Sequence, residues 1–225
     1  MNPGSDEARE KGCVCAVVDN GHGHHPYMGW NEDGTGRWSI RGDCALHGFG
    51  ATATVGRRAV ISDDGAYRYH LWCLWQKPEV GVRPLNWLML NPSIADGDVD
   101  DPTIRRCIGF AKRDGFHAIN VFNLFAYRAT DPKAMRGVDA IGPDNDLWLD
   151  RMIAWSLSDG VPIVAAWGAH PGAGRRANDV ITHIRDRGAH LVSLGETKNG
   201  SPRHPLYVRA AQPFVPYPQA TREPS

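Results

Sequence analysis

Four near-continuous apolar runs, separated by amphipathic segments, constrain this chain more than any other feature in it. The runs are LNWLML (85–90), HAINVFNLFAY (117–127), VPIVAAWG (161–168) and AHLVSLG (189–195). Between them lie DPTIRRCIGFAKRDG (101–115), DNDLWLDRMIAWSLSDG (144–160) and GRRANDVITHIRDRG (174–188), each closing on a glycine. A strand that alternates polar and apolar residues shows one face to water, whereas a strand apolar throughout is covered on both. Strand–helix alternation with such strands predicts an α/β fold: a three-layer α/β/α arrangement on a four-stranded parallel sheet.

The first amphipathic segment carries its own punctuation. Asp101 is placed to cap a helix, Pro102 takes the first helical position, Ile104, Cys107, Ile108 and Ala111 share a face, and Gly115 falls just past the end. Upstream, residues 58–76 (RAVISDDGAYRYHLWCLWQ) read as two strands around Asp-Asp-Gly, a β-hairpin that precedes the sheet. Residues 1–50 are rich in Gly, His and Asp without clear periodicity and read as an irregular N-terminal extension. Residues 51–210 then form a single α/β domain, a size that suits 225 residues. The Pro-rich tail, 211–225 (AQPFVPYPQATREPS), is expected to be extended or loose.

No apolar run reaches the roughly 18 residues of a membrane helix, so no membrane partner is expected. The N-terminal MNPGSDEAREKG lacks the basic-then-apolar order of a secretory leader, which points to the cytoplasm and to five cysteines kept as thiols. Cys13, Cys15 and Cys44 with His22, His24, His25 and His47 raise a metal reading, but there is no Cys-x-x-Cys, and no metal or other cofactor is expected. Lys plus Arg equals Asp plus Glu, so global charge neither advertises nucleic acid nor excludes it. A local patch does stand out: KNGSPRHPLYVR (198–209) carries Lys198, Arg203 and Arg209 with no acid among them.

An open parallel sheet binds ligands in the crevice outside the carboxyl ends of its strands. Those ends carry Asn91-Pro92-Ser93, Asn123 followed by Tyr127 and Arg128, Gly168-Ala169-His170, and Ser201-Pro202-Arg203-His204.

In this order, these segments resemble the motifs of the uracil-DNA glycosylase superfamily. LNPS is similar to the Gly-Ile-Asn-Pro-Gly motif of its mismatch-specific thymine/uracil branch, with Asn91 at the Asn position. VFNLFAYRATDP resembles the strand whose Asn reads the base edge, which places Asn123 there. RHPLY is similar to the late His-Pro-Ser loop, with His204 and Pro205, and WGAHPG resembles the segment before it. Together YRYHLW, LNPSIAD, DDPTIRR and NLFAYRATDP look like an uncharacterised bacterial and phage branch, over residues 64–208. Two departures stand out: Leu206 replaces the Ser of the late loop, and Leu90 precedes Asn91 where Gly is usual. The cysteine spacing does not match that of the superfamily's iron–sulfur branch, so no cluster is expected.

The resemblance implies hydrolysis of an N-glycosidic bond, with cationic character on the sugar and negative charge on the departing base. Such chemistry needs a group that positions water and supports the cation, and a donor for the leaving anion. Asn91 would orient water. Among Asp96, Asp98, Asp100 and Asp101, Asp96 is the choice for the electrostatic part, since Asp101 is better explained as a cap. His204 would be the donor, with His170 as the alternative for that role. Asn123 would read the base edge, with Ser93 and His170 also in the base-binding set; a buried strand Asn that pairs with backbone, and an ordinary turn hydroxyl, are the plainer accounts of Asn123 and Ser93. Leu206 and Tyr207 would wedge into the duplex, or Leu206 simply begins a strand. Arg203, Lys198, Arg209, Arg175 and Arg176 would hold phosphates, helped by Arg105 and Arg106, or stand as solvated charges. Tyr67 and Tyr69 share a hairpin face and either border the pocket or pack.

The function expected is a monofunctional DNA glycosylase, acting as a monomer on double- or single-stranded DNA with a flipped-out base. Its target would be a modified pyrimidine, including a hypermodified phage base, which would make it an antiviral defence enzyme. Two other readings stay open: an enzyme acting on free nucleotides, and a non-catalytic reader of modified DNA.

Overall fold

The structure, a computed structural model, describes residues 55–76, 82–93 and 101–218. The chain divides into two units, and the elements below all belong to the one made of Gly56–Trp75 and Arg83–Ser225. In chain order these are β1 (Gly56–Ile61), β2 (Arg68–Leu74), β3 (Pro84–Met89), α1 (Pro102–Arg113), β4 (Ala118–Asn123), α2 (Asn145–Asp159), β5 (Ile163–Ala165), α3 (Gly174–Asp186), β6 (Leu191–Ser193) and β7 (Val215–Pro216).

The helices form where their end signals lie. The Asp101 carboxylate accepts the Thr103 N–H at 2.7 Å and Pro102 opens α1, while two basic residues, Lys112 and Arg113, sit at its C-terminal, electronegative end. α2 stops at Gly160, whose φ of +60° is the left-handed conformation that glycine adopts without a Cβ penalty.

The fold is α/β, and its sheet departs from the expected one. Among the described residues it is seven-stranded and mixed, in the order β1-β2-β4-β3-β5-β6-β7. β4, β3, β5 and β6 run parallel as one block. The hairpin does not precede the sheet but joins it, because β2 pairs antiparallel with β4 from Leu71 opposite Val121 to Leu74 opposite Ala118. On the far side the Pro-rich segment supplies β7, which pairs antiparallel with β6, and Tyr217 beyond it is buried. Both margins of the parallel block are thus occupied, which satisfies backbone groups that an open edge would leave exposed.

Strands β2, β3 and β4 are buried at every residue because each face has its own core. On one face Leu88, Phe122, Ile163 and Ala165 meet Leu149, Met152 and Ile153 of α2 and Val180, Ile181 and Ile184 of α3. On the other, Leu85, Trp87, Met89, Ile119, Val121 and Val164 meet Ile104, Cys107, Phe110 and Ala111 of α1. Each Val, Leu, Ile, Met or Phe among them, fully buried, is worth about 1.5–3 kcal/mol of transfer free energy.

A polar line crosses the α2 side of this interior. His70 Nε2 lies 2.9 Å from Asn120 Oδ1, and Asn120 Nδ2 donates to Asn86 Oδ1 at 2.9 Å. Since the Asn120 amino group faces Asn86, its oxygen accepts, and the proton of His70 is on Nε2. The imidazole is stacked near Phe122, with centroids 4.8 Å apart at 19°, and near Trp148, at 5.5 Å and 17°. Burial pushes the His70 pKa down to about 4, against the pull of the Asn120 hydrogen bond and aided by the nearby Arg151 charge. His70 is therefore neutral at pH 7.

Among the described residues no helix is long and apolar enough to cross a membrane. No group of three or more His, Cys, Asp or Glu side chains there is arranged to hold a metal ion. Cys73 and Cys107 are free and buried, and burial raises both thiol pKa values, that of Cys73 to about 11. The Cys and His residues of 1–50 lie outside the described residues.

Candidate functional site

Chain order along the parallel block locates the crevice. From β3 the chain crosses through α1 to β4 on one side, then returns through α2 to β5 on the other side of β3. The direction of winding reverses between β3 and β5, and connections there leave the strand ends on opposite faces, opening a cleft. The turns that leave those ends are Leu90–Ser93 and Ala166–His170, beside the segment 195–208 that follows β6.

The turn after β5 is shaped by Gly168. Its φ of +74° is left-handed, and a Cβ placed on it would meet the His204 Cβ at 3.3 Å. The two segments thus meet at close range, with His204 against the Gly168 backbone. A cavity of about 390 Å³ opens here, lined by Gly168, Ala169, Thr197, Lys198, Arg203, His204 and Tyr207. Its size falls in the roughly 300–1,000 Å³ range of small-molecule sites. Two of its lining side chains are cations and none is an acid.

His204 caps the short turn Pro205–Tyr207: its Nδ1 accepts the Leu206 N–H at 3.4 Å, and its ring lies 5.6 Å from that of Tyr207. An accepting Nδ1 carries no proton, so the neutral ring carries it on Nε2, which can donate. Burial lowers the His204 pKa below the ordinary value, while the Asp101 carboxylate nearby draws it back up. The neutral donor form is the one favoured at pH 7.

Arg203 and Lys198 are exposed at the cavity, with Arg203 Nε donating to Glu196 O at 3.0 Å. Leu206 and Tyr207 project outward, 40% and 81% exposed. His204, Arg203, Lys198 and Tyr207 therefore come together as one site.

Other expected residues are placed differently. The Asn91 side chain donates through Nδ2 to Ala129 O at 2.8 Å and to Pro92 O at 3.1 Å. It also bolts the turn after β3 to the loop after β4, where the Ala129 N–H returns a bond to Pro92 O. Asn123 ends β4 in register with Met89, on the α1 side. It is 2% exposed, and no hydrogen bond to its side-chain amide occurs among the described residues. Its backbone carbonyl, with that of Leu124, accepts from Asn145 Nδ2 at 3.1 and 3.0 Å.

His170 caps its own turn, Nδ1 accepting the Gly172 N–H at 3.2 Å. Ser93 is half-buried after β3, and Asp96, Asp98 and Asp100 lie outside the described residues. Arg176 is engaged with Leu124 O and the Asp146 carboxylate, while Arg175 and Arg209 are exposed. Asp101 is the helix cap expected. Arg105 is exposed, but Arg106 turns toward backbone carbonyls at Pro205 and Val208 rather than outward. Tyr67 packs over Gly142, stacked at 6.1 Å with the buried Tyr69 and edge-on to Tyr127 at 5.9 Å.

Gly168 stands among the strand ends that the sequence places at the rim, but sequence reasoning overlooked Thr197 and Asn145. Neither had a signal, since a helix-start Asn reads as a cap until its carbonyl partners are known.

Fold and site together define an open-sheet α/β protein with a cationic, histidine-bearing pocket at the crossover of its parallel strands. The chain belongs to the family described as "Protein of unknown function (DUF1643)", whose model matches residues 68–206, from β2 to the turn that His204 caps. No curated protein and no solved structure matches it.

Proposed function

We propose that this protein is a monofunctional DNA glycosylase that hydrolyses the bond between deoxyribose and a modified pyrimidine, leaving an abasic site. The observation that carries the reading is the placement of His204: its Nδ1 accepts the Leu206 N–H, which turns its Nε2 to the donor role in a ring that lines a cationic cavity. In the reaction, the C1′–N bond breaks with its electron pair going to the base. The Nε2–H stabilises the resulting anion, a contribution of about 3–4 kcal/mol for a well-placed donor. Water then adds to C1′ and gives up a proton to solvent. Asn91 orients that water, Asn123 reads the base edge and Asp96 supports the sugar cation, although Asn91 and Asn123 lie outside the described lining of the cavity. Lys198, Arg203 and Arg209 hold phosphates, and the outward Leu206 and Tyr207 fill the gap left by the flipped nucleotide.

Space allows an enlarged target. A pyrimidine of about eight heavy atoms, none larger than a water at about 30 Å³, fills at most about 240 Å³. The cavity, about 390 Å³ and open to solvent, does not enclose such a ring tightly and is compatible with a ring substituent. A hypermodified phage base fits this reading, with antiviral defence as its biological setting.

The cationic lining also suits the phosphate of a free nucleotide, and one panel separates the two. DNA bearing uracil, a thymine mismatch or glucosylated hydroxymethylcytosine is incubated with the protein and then treated with alkali. Strand breaks at the modified position support the glycosylase. Intact DNA together with turnover of the matching free nucleotide overturns it in favour of the second reading, and tight binding without breaks favours a reader.

A further inference from the structure

We infer that Arg106 is a positioning residue for His204: from α1 its guanidinium grips the His204 turn on both sides and sets where the imidazole stands. The inference rests on the reading of His204 as the leaving-group donor.

Arg106 Nε donates to Pro205 O at 3.2 Å, and its Nη2 donates to Val208 O. Those carbonyls bracket the turn Pro205–Tyr207 that His204 caps. Behind the bonds, the guanidinium lies 4.9 Å from the centre of the Phe110 ring. Two helical turns further along, Arg113 repeats the arrangement: its Nη1 donates to Ala210 O at 2.9 Å and Gln212 O at 2.6 Å, and it stacks on Phe110 at 5.3 Å and Phe214 at 5.5 Å. Residues seven apart on a helix share a face. α1 thus lays two planar forks along the segment 205–212, and only arginine offers both a divided donor set and a flat face for an aromatic ring.

The Arg106 bonds fall at the turn itself, whereas those of Arg113 fall beyond it. Among the described residues, the charged and titratable groups at the His204 turn are Asp101 at the start of α1, Lys198, Arg203 and Tyr207 of the cavity, and Arg106, which bonds the carbonyls of the turn. Releasing the Arg106 bonds lets the turn lift and the ring enter water. The donor then stands off from the leaving group, and a displacement of about 1 Å costs about 100-fold in rate.

The test compares Arg106→Ala, Arg106→Lys and Arg113→Gln with the wild-type chain. It reads kcat and KM for abasic-site formation, and the titration midpoint of the His204 Cε1–H resonance assigned with His204→Gln. Arg106→Ala should lower kcat by about 100-fold with KM within about twofold, the mark of an interaction used in the transition state. The His204 midpoint should rise toward its ordinary value as the ring loses burial. Added guanidinium ion should restore part of both, Arg106→Lys should not, and Arg113→Gln should leave the midpoint in place. Arg106→Gln, which keeps a donor and most of the volume, replaces the alanine variant if that one does not fold. An unmoved midpoint in Arg106→Ala or Arg106→Gln, or an equal shift in Arg113→Gln, overturns the inference. A wild-type protein without glycosylase activity sinks the functional reading alone, because the midpoint still decides whether Arg106 places the ring.

Discussion

Among the described residues, His70 is the side chain through which acid should most destabilise this protein. The ring is wholly buried, donates to Asn120 Oδ1 and lies among Phe122, Trp148 and Trp155. Its folded pKa is about 4 against 6.5 in the unfolded chain, the difference caused first by burial. The unfolded chain therefore binds this proton more readily than the folded one, so stability is whole above about pH 6.5 and falls as pH drops toward 4. With about 1.36 kcal/mol for each pH unit of separation, the full loss is about 3 kcal/mol, of which about 2 kcal/mol is spent by pH 5. Urea unfolding followed by tryptophan fluorescence at pH 8 and pH 5 measures this directly. His70→Gln keeps a donor for Asn120 but has no proton to gain. It should be less stable at pH 8 through lost stacking, yet its stability should change between the two pH values by about 2 kcal/mol less than that of the wild type. His204, whose pKa burial also lowers, and Asp159, whose carboxyl burial raises, are present in both proteins and cancel in the comparison. Equal pH slopes in the two proteins would refute the account of a neutral, desolvated His70.

His204→Ala, which removes the donor, should lower abasic-site formation by about 100- to 1,000-fold, with a loss of stability of only about 1 kcal/mol from the turn cap by chemical denaturation. Gly168→Ala should destabilise the fold by about 1–2 kcal/mol through its left-handed backbone and lower activity as well, because the new methyl pushes on His204; calorimetry and the alkali-cleavage assay report the two effects. Asn145→Ala takes the side-chain donor from the buried Asn123 carbonyl and one of two from that of Leu124, which keeps Arg176, and chemical denaturation should show a loss of about 1–3 kcal/mol.

The helices were legible because their signals are local: Asp101, Pro102 and Gly115 mark α1 within fifteen residues of sequence. The strands were legible as apolar runs, but a run buried on both faces has no alternation to announce its neighbours. That is why β2, read as part of a free hairpin, turned out to line β4, a pairing that joins residues about fifty apart. β7 was hidden for the opposite reason, since two residues among prolines show no period at all. Within the site, His204, Arg203, Lys198 and Tyr207 lie close in sequence and surfaced together as a basic His-Pro loop. Arg106 reads as a phosphate contact in sequence because its actual acceptors are main-chain carbonyls about a hundred residues away, which no motif encodes. Asn86 and Asn120 were passed over inside apolar strands for the same reason, their partners being each other and His70 across the sheet.

The hydrogen bonds that α1 makes to the segment 205–212 all run to peptide oxygens, and a peptide oxygen is the same whichever residue bears it. Leu206, Tyr207 and Arg209 can therefore be exchanged without loosening the attachment of the segment. The rim of the pocket behaves as an interchangeable tip on a fixed handle, a place where new preferences in what is bound can arise while the scaffold keeps its stability.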